Sequence, residues 1–251
     1  MNFIITKKSA FVLLLVSYAF YGQKNSDSAQ YYNWFDSMIG KTHTGLFNGR
    51  QYVDTDVNKI FEDRNAFFLS DKVQLATITY NNQTYYEVPL KYNLENDHVL
   101  VSLKSGTSSS IIQLIDEKIE HFSIKDFNFK RLDTMSTDGS KIRGFYQIIV
   151  NDEVFTLYKK NKRNRKERIE DLGKTKIYYE FVDDHSYVLF YKDSYWDVIS
   201  KSNILDVFPE EKGIVKKYYT DQRQERKSNP DLFMKNLFEY IGDNLSTSND
   251  I

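Results

Sequence analysis

The sequence predicts a mainly β (α+β) fold: an antiparallel meander curled into an open barrel or sandwich, with a short N-terminal helix and C-terminal helices packed on it. Three observations predict it. From residue 73 onward, hydrophobicity alternates with a period of two over successive runs, which puts alternate side chains on one buried face. Short Asn- and Asp-rich pairs separate several of these runs and supply tight turns between antiparallel neighbours. After about residue 200 the apolar spacing lengthens to three and four, the period of a helix with one buried side.

The first hairpin is the most explicit. Val73, Leu75 and Thr77 alternate with small or polar neighbours, as do Tyr86, Val88, Leu90 and Tyr92, and Asn81-Asn82 lies between the two runs. A two-residue turn there pairs Tyr80 with Gln83. Continued outward, that register sets Thr77 opposite Tyr86, Leu75 opposite Val88 and Val73 opposite Leu90, one buried face with Glu87 and Lys91 on the other. Further strands are expected at His98–Leu103, Ser110–Ile115, Phe145–Val150, Val154–Lys159, Lys176–Val182 and Tyr187–Tyr191, with turns at Asn151-Asp152 and Asp183-Asp184. Strands joined by such short turns are expected to be neighbours.

Helices are expected at both ends. Tyr31, Phe35, Met38 and Ile39 recur at helical spacing between Ser28 and Gly40. Near the C-terminus, Ile204–Phe208 follows Ser202 and Glu210–Tyr219 follows Pro209. Ser228-Asn229-Pro230-Asp231 then opens a helix, started either by Asn229 before a first-turn proline or by Ser228 facing Asp231, whose stripe is Leu232, Phe233, Leu237, Phe238 and Ile241.

Residues 1–22 read as a secretory signal peptide. Lys7 and Lys8 precede an apolar run from Ala10 to Phe20, and Gly22 is the small residue before a cut at Gln23. Residues 23–251 then form a single β-rich domain whose helical C-terminal part covers about residues 200–245. The expected compartment is outside the cytoplasm, whether periplasm, cell surface or medium. The chain contains no cysteine, so the exported fold must stand without disulfides, and thiol chemistry is excluded. Without residues 1–22 the 34 basic residues fall to 32 against 35 acidic ones, a formal charge of −3. Nucleic-acid binding needs a dominant basic face and is not expected.

Two stretches carry a likeness. Leu46-Phe47-Asn48-Gly49-Arg50-Gln51-Tyr52 and the segment from Tyr80 to Tyr92, with its Asn81-Asn82 turn and Val88-Pro89-Leu90, resemble an uncharacterised family of exported Bacteroidetes proteins. Gly144-Phe145-Tyr146-Gln147 followed by a basic stretch is similar in layout, and Phe20-Tyr21-Gly22-Gln23 looks like that phylum's signal peptides. Asn93 stands where the family's pattern has an Asp. The resemblance implies compartment and fold, and no assigned activity comes with it.

Reactive signatures are weak. Asp54-Thr55-Asp56-Val57-Asn58 starts like a calcium loop, but Lys59 replaces the turn glycine and Asn65 the bidentate Glu. The four histidines are far apart, Asp183-Asp184-His185 reads as a turn, and Ser105 to Ser110 is no nucleophile elbow. Neither a metal nor a cofactor site is indicated. The paired aromatics Tyr85-Tyr86 and Tyr178-Tyr179, like Trp34 and Trp196, read as packing groups. The one conspicuous charge run extends from Lys159 to Arg168. It reads as the solvated tip between two strands, expected to add nothing to folding. Its Lys162, Arg163, Arg165 and Lys166 are nonetheless the best candidate anion contact, for an anionic glycan, a lipid headgroup or another cell-envelope component. The leading expectation is therefore an exported, non-catalytic accessory or binding protein. A metal-independent hydrolase with carboxylates scattered in sequence and a barrel-type carrier of an apolar ligand are the alternatives.

Overall fold

A computed structural model describes residues 29–34, 38, 40, 44–56, 59–105, 108–171 and 175–248. The expected signal peptide, the cut after Gly22 and the chain end at 249–251 lie outside the described residues. Helix is present at 29–34 and at Met38, but Tyr31, Trp34 and Met38 are exposed. The two described residues of the expected stripe, Tyr31 and Met38, therefore do not bury against the sheet, Phe35 and Ile39 lie outside the described residues, and Trp34 is not the packed residue its type suggested. Trp196 is half-buried and donates its indole N–H to the Tyr191 carbonyl at 3.3 Å.

The fold is mostly β, as expected. In spatial order, one large sheet contains β1 (Arg50–Gln51), β5 (Ser108–Gln113), β4 (His98–Ser105), β3 (Gln83–Asn93), β2 (Gln74–Tyr80), β6 (Ile119–Ile124), β7 (Phe127–Met135), β8 (Lys141–Asn151), β9 (Phe155–Lys160), β12 (Ser186–Tyr191) and β13 (Ser194–Asp197). Its strand pairs are antiparallel. The sheet is curled but does not close into a barrel.

Between β2 and β9 the meander is broken once, because β6 pairs with β2 rather than β5. On a flat sheet β5 and β6 would stand four strand spacings apart, about 19 Å. Residues 114–118 would cover that distance only if fully extended, and the 3-10 turn at Asp116–Lys118 shortens them. The sheet must curl to bring the strand ends together. Leu114 N–H donates to the Val99 carbonyl at 3.0 Å, and His98 Nδ1 lies 2.9 Å from Asp116 Oδ2. The curl is filled by Tyr92, Phe122, Phe129 and Phe145, with the Phe122 and Phe129 rings stacked at 4.7 Å.

A polar clasp closes this half onto β8 and β9. Asp97, in the turn between β3 and β4, accepts from the buried Tyr92 hydroxyl (2.6 Å), Lys160 Nζ (2.6 Å) and Phe145 N–H (3.3 Å). Burial pushes the Tyr92 hydroxyl well up and the Lys160 ammonium down from their usual values. Gly144 makes room for the clasp: its φ is +103°, and a Cβ would sit 1.7 Å from Asp97 Oδ2. Gly144→Ala is therefore expected to cost about 2–3 kcal/mol, from strained backbone plus a displaced carboxylate. Denaturant melts should show Asp97→Ala adding far less in that background than alone. Full additivity would mean the glycine is not there for the clasp.

The first hairpin keeps its expected turn and the expected burial of Val88 and Leu90 on β3, but not the expected face of β2. Asn81 and Asn82 both have positive φ, and Tyr80 pairs with Gln83. Beyond Ile78↔Tyr85 the next pair is Ala76↔Val88, so β3 carries one extra residue opposite Thr77. Glu87 sits in this bulge with φ +50°. The bulge puts Tyr85 and Val88 on one side although they are three residues apart. The buried face consists of Ala76, Ile78, Tyr80, Tyr85, Val88 and Leu90, while Val73 and Leu75 are exposed.

The basic run is not a loop tip. Arg163–Asp171 forms β10, paired with β11 (Thr175–Asp183) in a separate ribbon. Lys160 lies opposite Ser186 and Arg163 opposite Asp183. Thus β9–β10 and β11–β12 are one long hairpin in continuous register, bent off the sheet at residues 161–162 and 184–185. Asp183-Asp184-His185 is half of that bend rather than a turn between paired strands, since β12 pairs with β9 and not with β11. The strands β6, β7 and β13 were not expected.

Four helices follow: α1 (Lys201–Val207), α2 (Lys212–Asp221), α3 (Arg223–Ser228) and α4 (Pro230–Ser248). The cap of α1 is Ser200, which forms a reciprocal capping box with Asn203, and not Ser202. Val215 from α2 and Phe233, Leu237, Phe238 and Ile241 from α4 bury against Phe155, Leu157 and Leu189 of the sheet.

Candidate binding cleft

The curled half and the helical half bury the same side of the sheet, and polar residues separate them. On β8 the side chains on this side are Phe145, in the first core, then Gln147, then Ile149, against the second. Gln147 pairs with Phe129 on one flank and Lys159 on the other, and Lys159 pairs with Tyr187. A polar row of Gln147, Lys159 and Tyr187 thus crosses three strands between two apolar cores. Where the hairpin bends, Asn161 and His185 extend the row. Lys159 and Asn161 are buried, and buried polar groups cost free energy unless they are paired.

The pairing comes partly from α4. Asn229 caps this helix, its side-chain oxygen accepting from Leu232 N–H at 3.2 Å. That fixes Asp231 in the first turn, facing the sheet. Lys159 Nζ donates to Asp231 Oδ2 at 2.5 Å, and the Tyr187 hydroxyl donates to Oδ1. Burial alone would raise the Asp231 carboxyl, but the bonds from Lys159 and Tyr187 outweigh it and hold the group below its ordinary range. Burial, then the bond to Asp231, pushes the Tyr187 hydroxyl up. Asn161 Nδ2 donates to Gln147 Oε1 at 2.8 Å.

His185 Nδ1 accepts from the Lys162 backbone N–H at 3.2 Å, so in the neutral ring the proton is on Nε2. Burial, then the Lys159 charge, lowers this imidazole, while the bond to Asp116 raises His98. An NMR titration should place the His98 midpoint above 6.5 and the His185 midpoint below it, with Asp116→Asn returning His98 toward 6.5. The stability signs are opposite. The His98 contribution is full below pH 6.5 and is lost as pH rises through its raised midpoint. The His185 penalty appears as pH falls below 6.5, where the unfolded chain takes the proton first. Midpoints in the reverse order would overturn both assignments.

Above this row lies an open cleft of about 520 Å³. One wall is Phe68, Leu69 and Phe127, the other is Leu232 and Lys235 of α4, and Gln147, Ile149, Lys159 and Asn161 form the floor. The volume is in the usual range for ligand sites.

The four cations named from sequence do not converge. Arg163 lines the cleft, but its guanidinium is tied to Asp183 Oδ1 and to the Asn65 and Phe67 carbonyls, all at 2.8 Å. Arg165 turns to a different, acidic groove. There it grips Glu95 through two bonds (2.8 and 3.0 Å) and Asp56 through a third (2.9 Å), over the Tyr179 ring. Lys162 is exposed, 3.7 Å from Asp184. Lys166 is exposed on the other face of β10, opposite Glu180. Arg163 and Arg165 dock the ribbon to the body, so the run takes part in the folded structure. The Asp54–Asn58 stretch also differs from a calcium loop, for Asp56 is bonded by Lys59 and Arg165.

Sequence reasoning missed Gln147, Lys159, Asn161, Tyr187 and Asp231. The signal was in β9 and the residue after it, where Phe155, Leu157, Lys159 and Asn161 alternate along the chain and are all buried. A core-facing pattern that turns from apolar to Lys and Asn marks a polar site inside a fold. Lys159 was instead counted with the charge run that follows it. No family model, no curated protein and no solved structure matches the chain.

Proposed function

We propose that the protein is an exported, non-catalytic binding protein that holds a small ligand in the cleft between its curled sheet and α4. The observation that carries this reading is the buried polar row, whose Gln147, Lys159 and Asn161 line the floor of a cleft between the two apolar cores. Binding fits better than hydrolysis. Asp231 is held ionised by Lys159, and the Asp56 carboxylate is engaged by Lys59 and Arg165, whereas acid catalysis needs a carboxyl that keeps its proton. An enclosed apolar carrier has less support, because Tyr92, Phe122, Phe129 and Phe145 fill the curl. Export rests on the sequence of residues 1–22 and on the resemblance to exported Bacteroidetes proteins. No described helix is long and apolar enough to cross a membrane.

Two measurements test the reading. Mass spectrometry of the mature protein should find Gln23 at its N-terminus, and a mature pool starting at Met1 would overturn export. The chain lacks cysteine, so Leu232→Cys can be labelled at one place with a bulky maleimide that plugs the cleft. Native mass spectrometry should show a small molecule retained from an extract of the producing cell by the unplugged form alone. Equal retention by both forms, or by neither, would overturn cleft binding.

A further inference from the structure

We propose that the ligand of this cleft is an amphiphile with a single acyl or alkyl chain and an anionic head, a carboxylate or a phosphate. The inference rests on the cleft being a binding site and adds the chemical class. Its first support is the apolar part of the cleft lining. Leu69 and Leu232 project from opposite lips, 46% and 41% exposed, although both are large apolar side chains beside a concave surface. Phe127 and Ile149 continue the apolar strip below them. An alkyl chain laid between the two leucines removes this surface from water, at about 25 cal/mol for each Å² covered.

The second support is charge. Lys159, Arg163 and Lys235 line the cleft against Asp126 and Asp231. Asp231 is already taken by Lys159 and Tyr187. Lys235 has a carboxylate only at 3.7 Å, that of Glu239 one turn along the same helix, and both are half exposed. His185 also lines the cleft, its Nε2 3.7 Å from Asp183 Oδ2. An anionic head beside Lys235 meets an ammonium, and a charge-assisted bond to it is stronger than a neutral one. A cationic head there would meet Lys235 instead, and Asp126, the other carboxylate of the lining, is in the β6–β7 turn beside Phe127 on the opposite wall.

The third support separates this class from sugars. Carbohydrate sites stack rings on open aromatic faces. Here Phe68 is buried, and Phe127 and Phe129 meet it edge to face at 5.2 and 5.0 Å, so Phe68 offers no open face to a pyranose.

The test is calorimetric titration of the mature protein with four twelve-carbon probes below their micellar concentrations: dodecanoate, dodecyl phosphate, dodecyl maltoside and dodecyltrimethylammonium. Dodecanoate or dodecyl phosphate should bind one to one, at least tenfold tighter than the neutral and cationic probes. The stronger of the two shows whether the head is a carboxylate or a phosphate. Lys235→Gln should weaken the anionic probes at least threefold and leave the maltoside unchanged. Leu232→Asn, on an exposed position that spares the fold, should weaken every probe at least fivefold. Neutral or cationic binding as tight as anionic binding would overturn the head group. Unchanged affinity in Leu232→Asn would overturn the seat of the chain. If none of the four binds while the plugged and unplugged forms still differ in what they retain, the amphiphile class fails and cleft binding survives.

Discussion

Asp231→Ala is expected to destabilise the protein by about 3 kcal/mol, and Lys159→Met by only about 1 kcal/mol, although the two residues form one ion pair. The difference follows from where each charge sits. The Lys159 side chain is 4% exposed and that of Asp231 is 46% exposed. Removing the carboxylate leaves an ammonium buried on the sheet with no counter-charge, the situation that makes breaking a buried pair costly. Removing the ammonium leaves a carboxylate that still reaches water and still accepts from Tyr187. The thioether of Met meanwhile fills most of the space of the lysine stem. The double variant Lys159→Met/Asp231→Leu should recover most of the loss, because two charges then no longer need to be desolvated. Urea melts of the three variants give these numbers through the shift in midpoint at constant slope. Equal costs for both single variants would mean that water reaches Lys159, and the account of the polar row would fall with it. The same cluster joins α4 to β9 and β12, so its loss should also move the helix wall of the cleft.

The sheet was legible because its signal is local. Alternation along each strand and Asn or Asp at the turns are properties of a few neighbouring residues, and most expected strands lie within two residues of the observed ones. Ile119–Ile124 and Phe127–Met135 were missed because charged and polar groups dilute their alternation. In β6, Glu120 and His121 are both exposed, and the turn is Lys125-Asp126, with Lys125 at φ +52°. The cleft was less legible for a different reason. Asp231 and Lys159 are 72 residues apart in sequence and meet only because a helix folds back over the sheet. The basic run misled through composition. Ten residues rich in Lys and Arg look solvated, yet Arg163 and Arg165 find carbonyls and carboxylates from residues 56 to 95, partners that no local pattern announces.

Val88→Asp is expected to cost about 4 kcal/mol and Leu75→Asp less than about 0.5 kcal/mol, a contrast that the unbulged hairpin would not produce. In a straight register Leu75 and Val88 are opposed and share one buried face. In the structure Val88 is 1% exposed and Leu75 is 66% exposed. An aspartate at 88 would place an unpaired carboxylate in the aromatic core with Tyr85 and Leu90, which is among the few substitutions with effects this large. An aspartate at 75 faces water. Ala76→Asp, on the buried side of the same strand, should behave like Val88→Asp and thereby show that the difference belongs to the face and not to the strand. The bulge has its own signature at Glu87, whose φ of +50° disfavours a β-branched side chain. Glu87→Val should be about 1–2 kcal/mol less stable than Glu87→Gly. Both variants lose whatever the glutamate touches, so their difference isolates the backbone. Equal destabilisation by Leu75→Asp and Val88→Asp, together with no gap between the two Glu87 variants, would restore the straight hairpin and move Tyr85 out of the core.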